Sequence, residues 1–224
     1  MRLFVTATDT DAGKTFVTAG LVRALRAAGR DAVAMKPIAS GFVAGPDGPF
    51  NADLVALAAA AQGALPPDDL NVHAFEPAIA PHQAATLAGV DIERAPILAA
   101  YARVAARHAD VLVEGVGGFA VPLSPTLMQA DLMRALKLPL LLVVGVRLGC
   151  INHALLSAAA IRAAGLSLVG WVANHVDPSM REAQASIDAI AARIGTPLLG
   201  NLSHGARAGE FAALVDSLNS TSLL

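Results

Sequence analysis

The chain holds a single cysteine, Cys150, among 224 residues, so it can build neither an intrachain disulfide framework nor a cysteine-rich zinc cluster. A reducing, cytoplasmic compartment is the expectation. Clusters of Lys and Arg are absent and the formal charge is −2, which excludes the basic footprint of a protein that binds nucleic acid or a membrane surface. Long apolar runs are absent too: residues 138–146 are the longest near a strand, far short of the roughly 20 that span a bilayer. Only Leu3-Phe4-Val5 precedes the first polar loop, too little for the apolar region of a secretory signal. Charged residues make up just 15% against 55% hydrophobic, the balance of a compact enzyme with a broad core and an extensive subunit contact rather than a disordered chain. The length predicts one domain, residues 1–224, whose partners are small molecules.

Glycine is missing between Met1 and Ala12, so the usual phosphate-loop pattern lacks its leading glycine; that position is Thr8. The N-terminal residues nevertheless read as strand, phosphate loop and helix. Leu3-Phe4-Val5 leads into Thr6-Ala7-Thr8-Asp9-Thr10-Asp11-Ala12-Gly13-Lys14-Thr15, and an amphipathic segment begins at Phe16. In such a loop successive backbone N–H groups curl around phosphate oxygens, the helix N-terminus adds positive dipole, and a lysine neutralises terminal phosphates. Lys14 stands where that lysine belongs. Thr15 is the first candidate ligand for a Mg²⁺ bridging the phosphates.

Short apolar runs recur at residues 3–6, 32–35, 111–113, 140–144, 168–172 and 198–199. Between them lie helical patterns at residues 14–28, 52–62, 92–108, 129–136, 152–164 and 181–194, with Gly29, Gly165 and Gly195 as helix stops. This alternation predicts an α/β fold, a P-loop NTPase-like, mostly parallel sheet with helices on both faces. Residues 39–50, rich in Gly and Pro, read as a loop and a candidate cover for the site. Residues 65–81 read as a surface excursion, and residues 217–224 as a fraying tail.

Ligands of open parallel sheets bind beyond the carboxyl ends of the strands. Polar residues collect there: residues 10–15, residues 36–40, residues 114–118, residues 147–153 and Asn174. Lys36 precedes Pro37, so the chain leaves the sheet with the ammonium directed at the crevice. Glu114 ends an apolar strand ahead of Gly115, the position from which a carboxylate holds Mg²⁺ in phosphate-loop proteins. Asp53, taken alone, reads as a helix N-terminal carboxylate favoured by the macrodipole ahead of a metal ligand, and together with Thr15 and Glu114 it fits the oxygen inventory of Mg²⁺. His73, His108, His175 and His204 lack metal spacing, and Trp171 reads as core.

The chain resembles the dethiobiotin synthetase family over nearly its full length. The resemblance is carried by Thr8-Asp9-Thr10-Asp11-Ala12-Gly13-Lys14-Thr15, Lys36-Pro37-Ile38-Ala39-Ser40-Gly41, Asn51-Ala52-Asp53, Pro81-His82, Val113-Glu114-Gly115-Val116-Gly117-Gly118, Val143-Val144-Gly145-Val146-Arg147-Leu148-Gly149-Cys150-Ile151-Asn152-His153 and Gly170-Trp171-Val172-Ala173-Asn174. It implies an enzyme, a C–N bond-forming ligase of biotin biosynthesis, that converts 7,8-diaminopelargonate, CO₂ and ATP to dethiobiotin, ADP and phosphate. A carbamate forms on one amine, ATP phosphorylates it, and the second amine closes the ureido ring. Lys36, Lys14 and Thr10 would then be catalytic. Ser40, Gly117, Gly149, Cys150, Ile151 and Asn152 would bind substrate, the last four in a neighbouring subunit, which implies a homodimer with the substrate at its interface. Asp11, Ala12, Gly13, Lys14, Thr15, Phe16, Glu114, Asn174, His175, Ser203 and Glu210 would bind ATP, with Thr15, Asp53 and Glu114 around Mg²⁺.

Two departures stand out. Ala7 replaces the family's leading glycine, and Gly200-Asn201-Leu202-Ser203-His204-Gly205 replaces a segment that often carries Pro-Trp. The alternatives are another ligase of the same P-loop class and a ParA/MinD-type switch ATPase. The second lysine that such switches use near the start of the loop is missing here.

Overall fold

Leu140 to Gly145 is apolar without alternation, and every one of its residues is buried, as expected of a central strand covered on both faces. In the computed structural model, which describes residues 1–43 and 50–221, this run is the middle of a parallel sheet. Among the described residues the elements run β1 (Arg2–Ala7), α1 (Lys14–Ala27), β2 (Ala32–Met35), β3 (Ile38–Ser40), α2 (Ala52–Ala60), α3 (Pro67–Leu70), β4 (His73–Phe75), α4 (Pro81–Ala88), α5 (Arg94–Arg107), β5 (Asp110–Glu114), α6 (Gln129–Leu136), β6 (Leu140–Gly145), α7 (Cys150–Ala163), β7 (Leu168–Asn174), α8 (Ala183–Ile194), β8 (Leu198–Leu202) and α9 (Ala208–Asn219).

Six strands pair in the order β2-β5-β1-β6-β7-β8, every neighbouring pair parallel. The order moves one way from β1 to β2 and the other way from β5 to β8. With right-handed crossovers this reversal puts α1 on one face of the sheet and the later crossover helices on the other. The helix contacts follow suit: α1 packs on α2 and α9, α5 on α6, and α7 on α8. Trp171 on β7 is fully buried between these layers, as its sequence setting predicts.

The alternation of runs located all six strands of the main sheet, and the ends differ by a few residues. Helix α7 starts two residues earlier than the 152–164 pattern because Gly149, at φ 95°, serves as its left-handed N-cap. Gly165 and Gly195 follow the ends of α7 and α8 at φ 70° and 69°.

Five elements went unread: β3, which takes in Ala39 and Ser40 of the expected loop, and α3, β4, α4 and α9. Residues 65–81 are more than a surface excursion: α3 and β4 lie within them, and Leu70 and Phe75 are buried. Strand β4 pairs with β3 in a separate two-stranded parallel sheet. The tail reading gives way at residues 217–219, which belong to α9, because Phe211, Leu214, Val215 and Leu218 face the core at helical spacing. Residues 222–224, and residues 44–49 of the candidate cover, lie outside the described residues. Val43 and Phe50, which flank the latter, form an antiparallel bridge.

Candidate active site

Parallel register brings the chemistry together. Val5 pairs with Glu114 and Met35 with Val113, so the residues that leave β1, β2 and β5 emerge side by side at one edge. The turn from β1 to α1 ends at Gly13, whose φ of 87° suits glycine. A Cβ there would stand 2.1 Å from Asn174 Nδ2. That amide donates to the Ala12 carbonyl at 3.0 Å, tying the end of β7 to the loop. On the other flank Arg147 donates to Asp9 Oδ2 at 2.8 Å, and Asp9 Oδ1 accepts the Thr10 N–H at 2.8 Å. The first N–H groups of α1 open into the same space, a setting that favours an anion.

Beneath the loop lies a charged centre. Lys14 is buried and donates to the Gly117 carbonyl at 2.6 Å. The Thr15 hydroxyl donates to Glu114 Oε1 at 2.6 Å, and Lys36 Nζ donates to the same oxygen at 2.9 Å and to Asp53 Oδ2. Asn51 fixes Asp53 by capping α2, its side chain accepting from the N–H groups of Asp53 and Leu54. Lys36 is held at its backbone, where its N–H donates to the Leu70 carbonyl and its own carbonyl accepts from Asn71.

Burial pulls the Lys14 ammonium below the ordinary lysine range, and the nearby Glu114 carboxylate offsets only part of the fall. At Lys36 burial acts in the same direction, but Glu114 and Asp53 outweigh it and hold that ammonium above its ordinary range. Burial would raise the Asp53 carboxyl; the Lys36 charge and hydrogen bond overcome this and lower it. Lys36 is therefore cationic and Asp53 anionic at neutral pH.

Lys14, Thr15, Lys36 and Asp53 line a cleft of about 1000 Å³. Thr10, Asp11, Gly13, Phe16, Ser40 and Gly117 also line it, together with Leu156, Ser157 and Ala160 of α7. Ala78 to Pro81 form part of the wall, a role for which the Pro-rich reading of residues 65–81 held no signal. Glu114 Oε2 is buried with no hydrogen-bond partner. Among the described residues no three His, Cys, Asp or Glu side chains converge as a metal cluster. The donors present are instead a hydroxyl and two carboxylates, one with a free buried oxygen. That set suits Mg²⁺, which takes one or two carboxylates and completes its shell with phosphate oxygens and water.

Similarity to known proteins decides the family. An AAA domain family (AAA_26) matches residues 1–208. The ATP-dependent dethiobiotin synthetase BioD of Xanthomonas campestris pv. campestris is 50% identical over 199 residues, 89% of each chain. That of Pseudomonas paraeruginosa is 50% identical over 210 residues, 93% of this chain and 92% of its own. The chain belongs to the dethiobiotin synthetase family. Its fold is that of the P-loop ATPases: the MinC:MinD cell division protein complex of Aquifex aeolicus matches with a TM-score of 0.61 at 13% identity, covering 100% of this chain and 97% of the other.

The remaining residues singled out from sequence fall in two places outside the cleft wall. Asn174, His175, Ser203 and Glu210 gather past the ends of β7 and β8. His175 Nε2 lies 2.8 Å from Asn201 Oδ1, His204 Nδ1 lies 3.0 Å from the His175 carbonyl, and Glu210 accepts from the Ser203 N–H and hydroxyl at 2.8 and 2.9 Å. Gly149 to Asn152 form the start of α7, where Cys150 is buried and Ile151 and Asn152 are exposed. Sequence reasoning passed over Gln129, whose buried side chain bonds the loop after Glu114. No spacing or motif marks it.

Proposed function

We propose that this member of the dethiobiotin synthetase family closes a ureido ring at the expense of ATP, converting 7,8-diaminopelargonate and CO₂ to dethiobiotin. The observation that carries the reading is the meeting of Lys14, Lys36, Thr15, Asp53 and Glu114 beneath a phosphate loop, in a chain half identical to named synthetases.

One substrate amine adds to CO₂ and loses a proton, giving a carbamate. A carbamate oxygen attacks the γ-phosphorus as ADP leaves, and the second amine then attacks the carbamate carbon, expelling phosphate and closing the five-membered ring. Such chemistry depends on positioning and charge neutralisation. Loop N–H groups and Lys14 hold the phosphates; Lys36 neutralises the carbamate and the transferring group; Thr10, Ser40 and Gly117 orient the diamine. Thr15, Asp53 and Glu114 would hold Mg²⁺, which supplies further neutralisation of the phosphates when bound. Asn174, His175, Ser203 and Glu210 receive the nucleoside end of ATP.

The substrate carboxylate is assigned to Gly149, Cys150, Ile151 and Asn152 of a second copy, because a helix N-terminus favours an anion. The supporting observation is on α7 and the turn before it, where Leu148 is 93% exposed and Leu156, which lines the cleft, is 61% exposed. A homodimer covers them. Among the described residues no helix is long and apolar enough to cross a membrane, which with the lone cysteine supports a cytoplasmic setting.

The test is ADP release from purified protein with Mg-ATP and bicarbonate, with and without the diamine, while dethiobiotin is followed by mass spectrometry. Product in step with ADP is expected. ATP turnover indifferent to the diamine would favour a switch ATPase instead.

A further inference from the structure

Gln129 is the first residue of α6, only 2% exposed, and its side-chain amide lies against the loop after Glu114. Oε1 accepts the Val116 N–H at 2.7 Å, and Nε2 donates to the Gly118 carbonyl at 2.7 Å. A backbone N–H can only donate and a carbonyl can only accept, so these partners dictate the orientation of the amide. Gly117, the residue so bracketed, sits at φ 59° and presents the carbonyl that accepts Lys14.

The contact is built on both sides. A Cβ on Gly115 would come within 2.8 Å of Gln129 Oε1, so only a glycine lets the amide reach the loop backbone. Gln129 is itself held: its N–H donates to the Val121 carbonyl at 2.8 Å, and Asp131 accepts the Met128 N–H at 2.9 Å to cap α6. The loop in turn abuts the phosphate loop, for a Cβ on Gly118 would stand 3.3 Å from the Thr8 carbonyl.

We infer that Gln129 is a positioning residue for phosphoryl transfer: its amide clamps Val116 and Gly118, and thereby fixes the Gly117 carbonyl that aims Lys14. This rests on the synthetase reading. A buried amide with two hydrogen bonds costs too much to leave half paired, so the loop keeps one geometry while Lys14 exchanges partners during turnover.

Three proteins test it: wild type, Gln129→Met, which keeps the volume and loses both bonds, and Gln129→Glu. In Gln129→Met the Val116 amide should exchange with deuterium faster, and kcat should fall about tenfold with a smaller change in KM for ATP. In Gln129→Glu the carboxylate cannot donate to Gly118, whereas the protonated acid offers one acceptor and one donor as the amide does. Its activity relative to wild type should therefore recover as pH falls. An active wild type whose two variants match it, or a Gln129→Glu deficit that stays flat with pH, would overturn the clamp. Wild type that forms no dethiobiotin would overturn the synthetase reading instead, while amide exchange in Gln129→Met still reports on the clamp. Should Gln129→Met fail to fold, the pH comparison in Gln129→Glu decides alone.

Discussion

Lys36 and Glu114 stand one residue beyond a paired Met35 and Val113 on neighbouring parallel strands, and Lys36 Nζ lies 2.9 Å from Glu114 Oε1. The ammonium lies between the two carboxylates proposed for the metal, Glu114 and Asp53, so it offsets part of their charge when no cation is present.

Lys36→Met removes that charge. Loss of one preorganised stabilising group costs about 100- to 1000-fold in kcat, and a fall of that size in dethiobiotin formation is expected at saturating ATP and diamine. The variant also leaves the carboxylates unneutralised, so added Mg²⁺ should raise its Tm more than that of wild type. Equal Mg²⁺ responses would remove Lys36 from this role.

Glu114→Gln keeps the shape and removes the charge shared by Thr15 and Lys36. A Mg²⁺ titration of ATP turnover should shift to higher concentration, and chelation with EDTA should stop turnover in both proteins. A wild-type Mg²⁺ curve in Glu114→Gln would exclude the carboxylate from the metal.

Gly13→Ala meets two penalties at once. The left-handed backbone costs a Cβ-bearing residue about 1–2 kcal/mol, and the new Cβ would stand 2.1 Å from Asn174 Nδ2. Thermal unfolding should show a lowered Tm. The double variant with Asn174→Ala should recover only part of it, because the clash is relieved and the strain is not.

Asp110, buried at the start of β5, links the far end of the sheet to Arg30, whose Nε donates to Oδ2 at 2.7 Å. Burial pushes the carboxyl up, but the hydrogen bonds from Arg30 and the Met1 amino group outweigh it and the group lies below the usual range. A lowered folded-state pKa stabilises above the unfolded value, and that contribution is lost as pH falls through the folded one. Asp110→Asn should therefore cost about 3 kcal/mol at pH 7 in urea unfolding, with the difference from wild type shrinking in acid below about pH 4. A difference independent of pH would refute the charge assignment.

Leu156→Asp places a charge where the isolated chain exposes the side chain, so it should leave the Tm of a monomer unchanged. If α7 forms the homodimer face, sedimentation should show dissociation, and activity should fall with it. A variant that sediments as wild type would exclude this face.

The P-loop fold was readable because buried parallel strands carry unbroken apolar runs and their helices carry 3.6-residue periodicity, both visible in residues such as Leu140 to Gly145. The phosphate loop was readable because its chemistry is contiguous in the chain. Strand β4 escaped because a three-residue strand has too few positions to show a period, and Pro66, Pro67 and Pro77 dominate its surroundings. Helix α9 did carry a signal, Phe211, Leu214, Val215 and Leu218, which the polar tail after it masked.

The sequence by itself determined the alternation of the six main-sheet strands with their longer crossover helices, the loop at Gly13 to Thr15, and the residue types gathered at the strand ends. Only the tertiary structure decided that Lys36 bridges Asp53 and Glu114, that Ala78 to Pro81 wall the cleft, and that Gln129 holds the loop carrying Gly117. These contacts join residues 11 to 78 positions apart, and such pairings follow from strand register and crossover direction, which local periodicity does not encode.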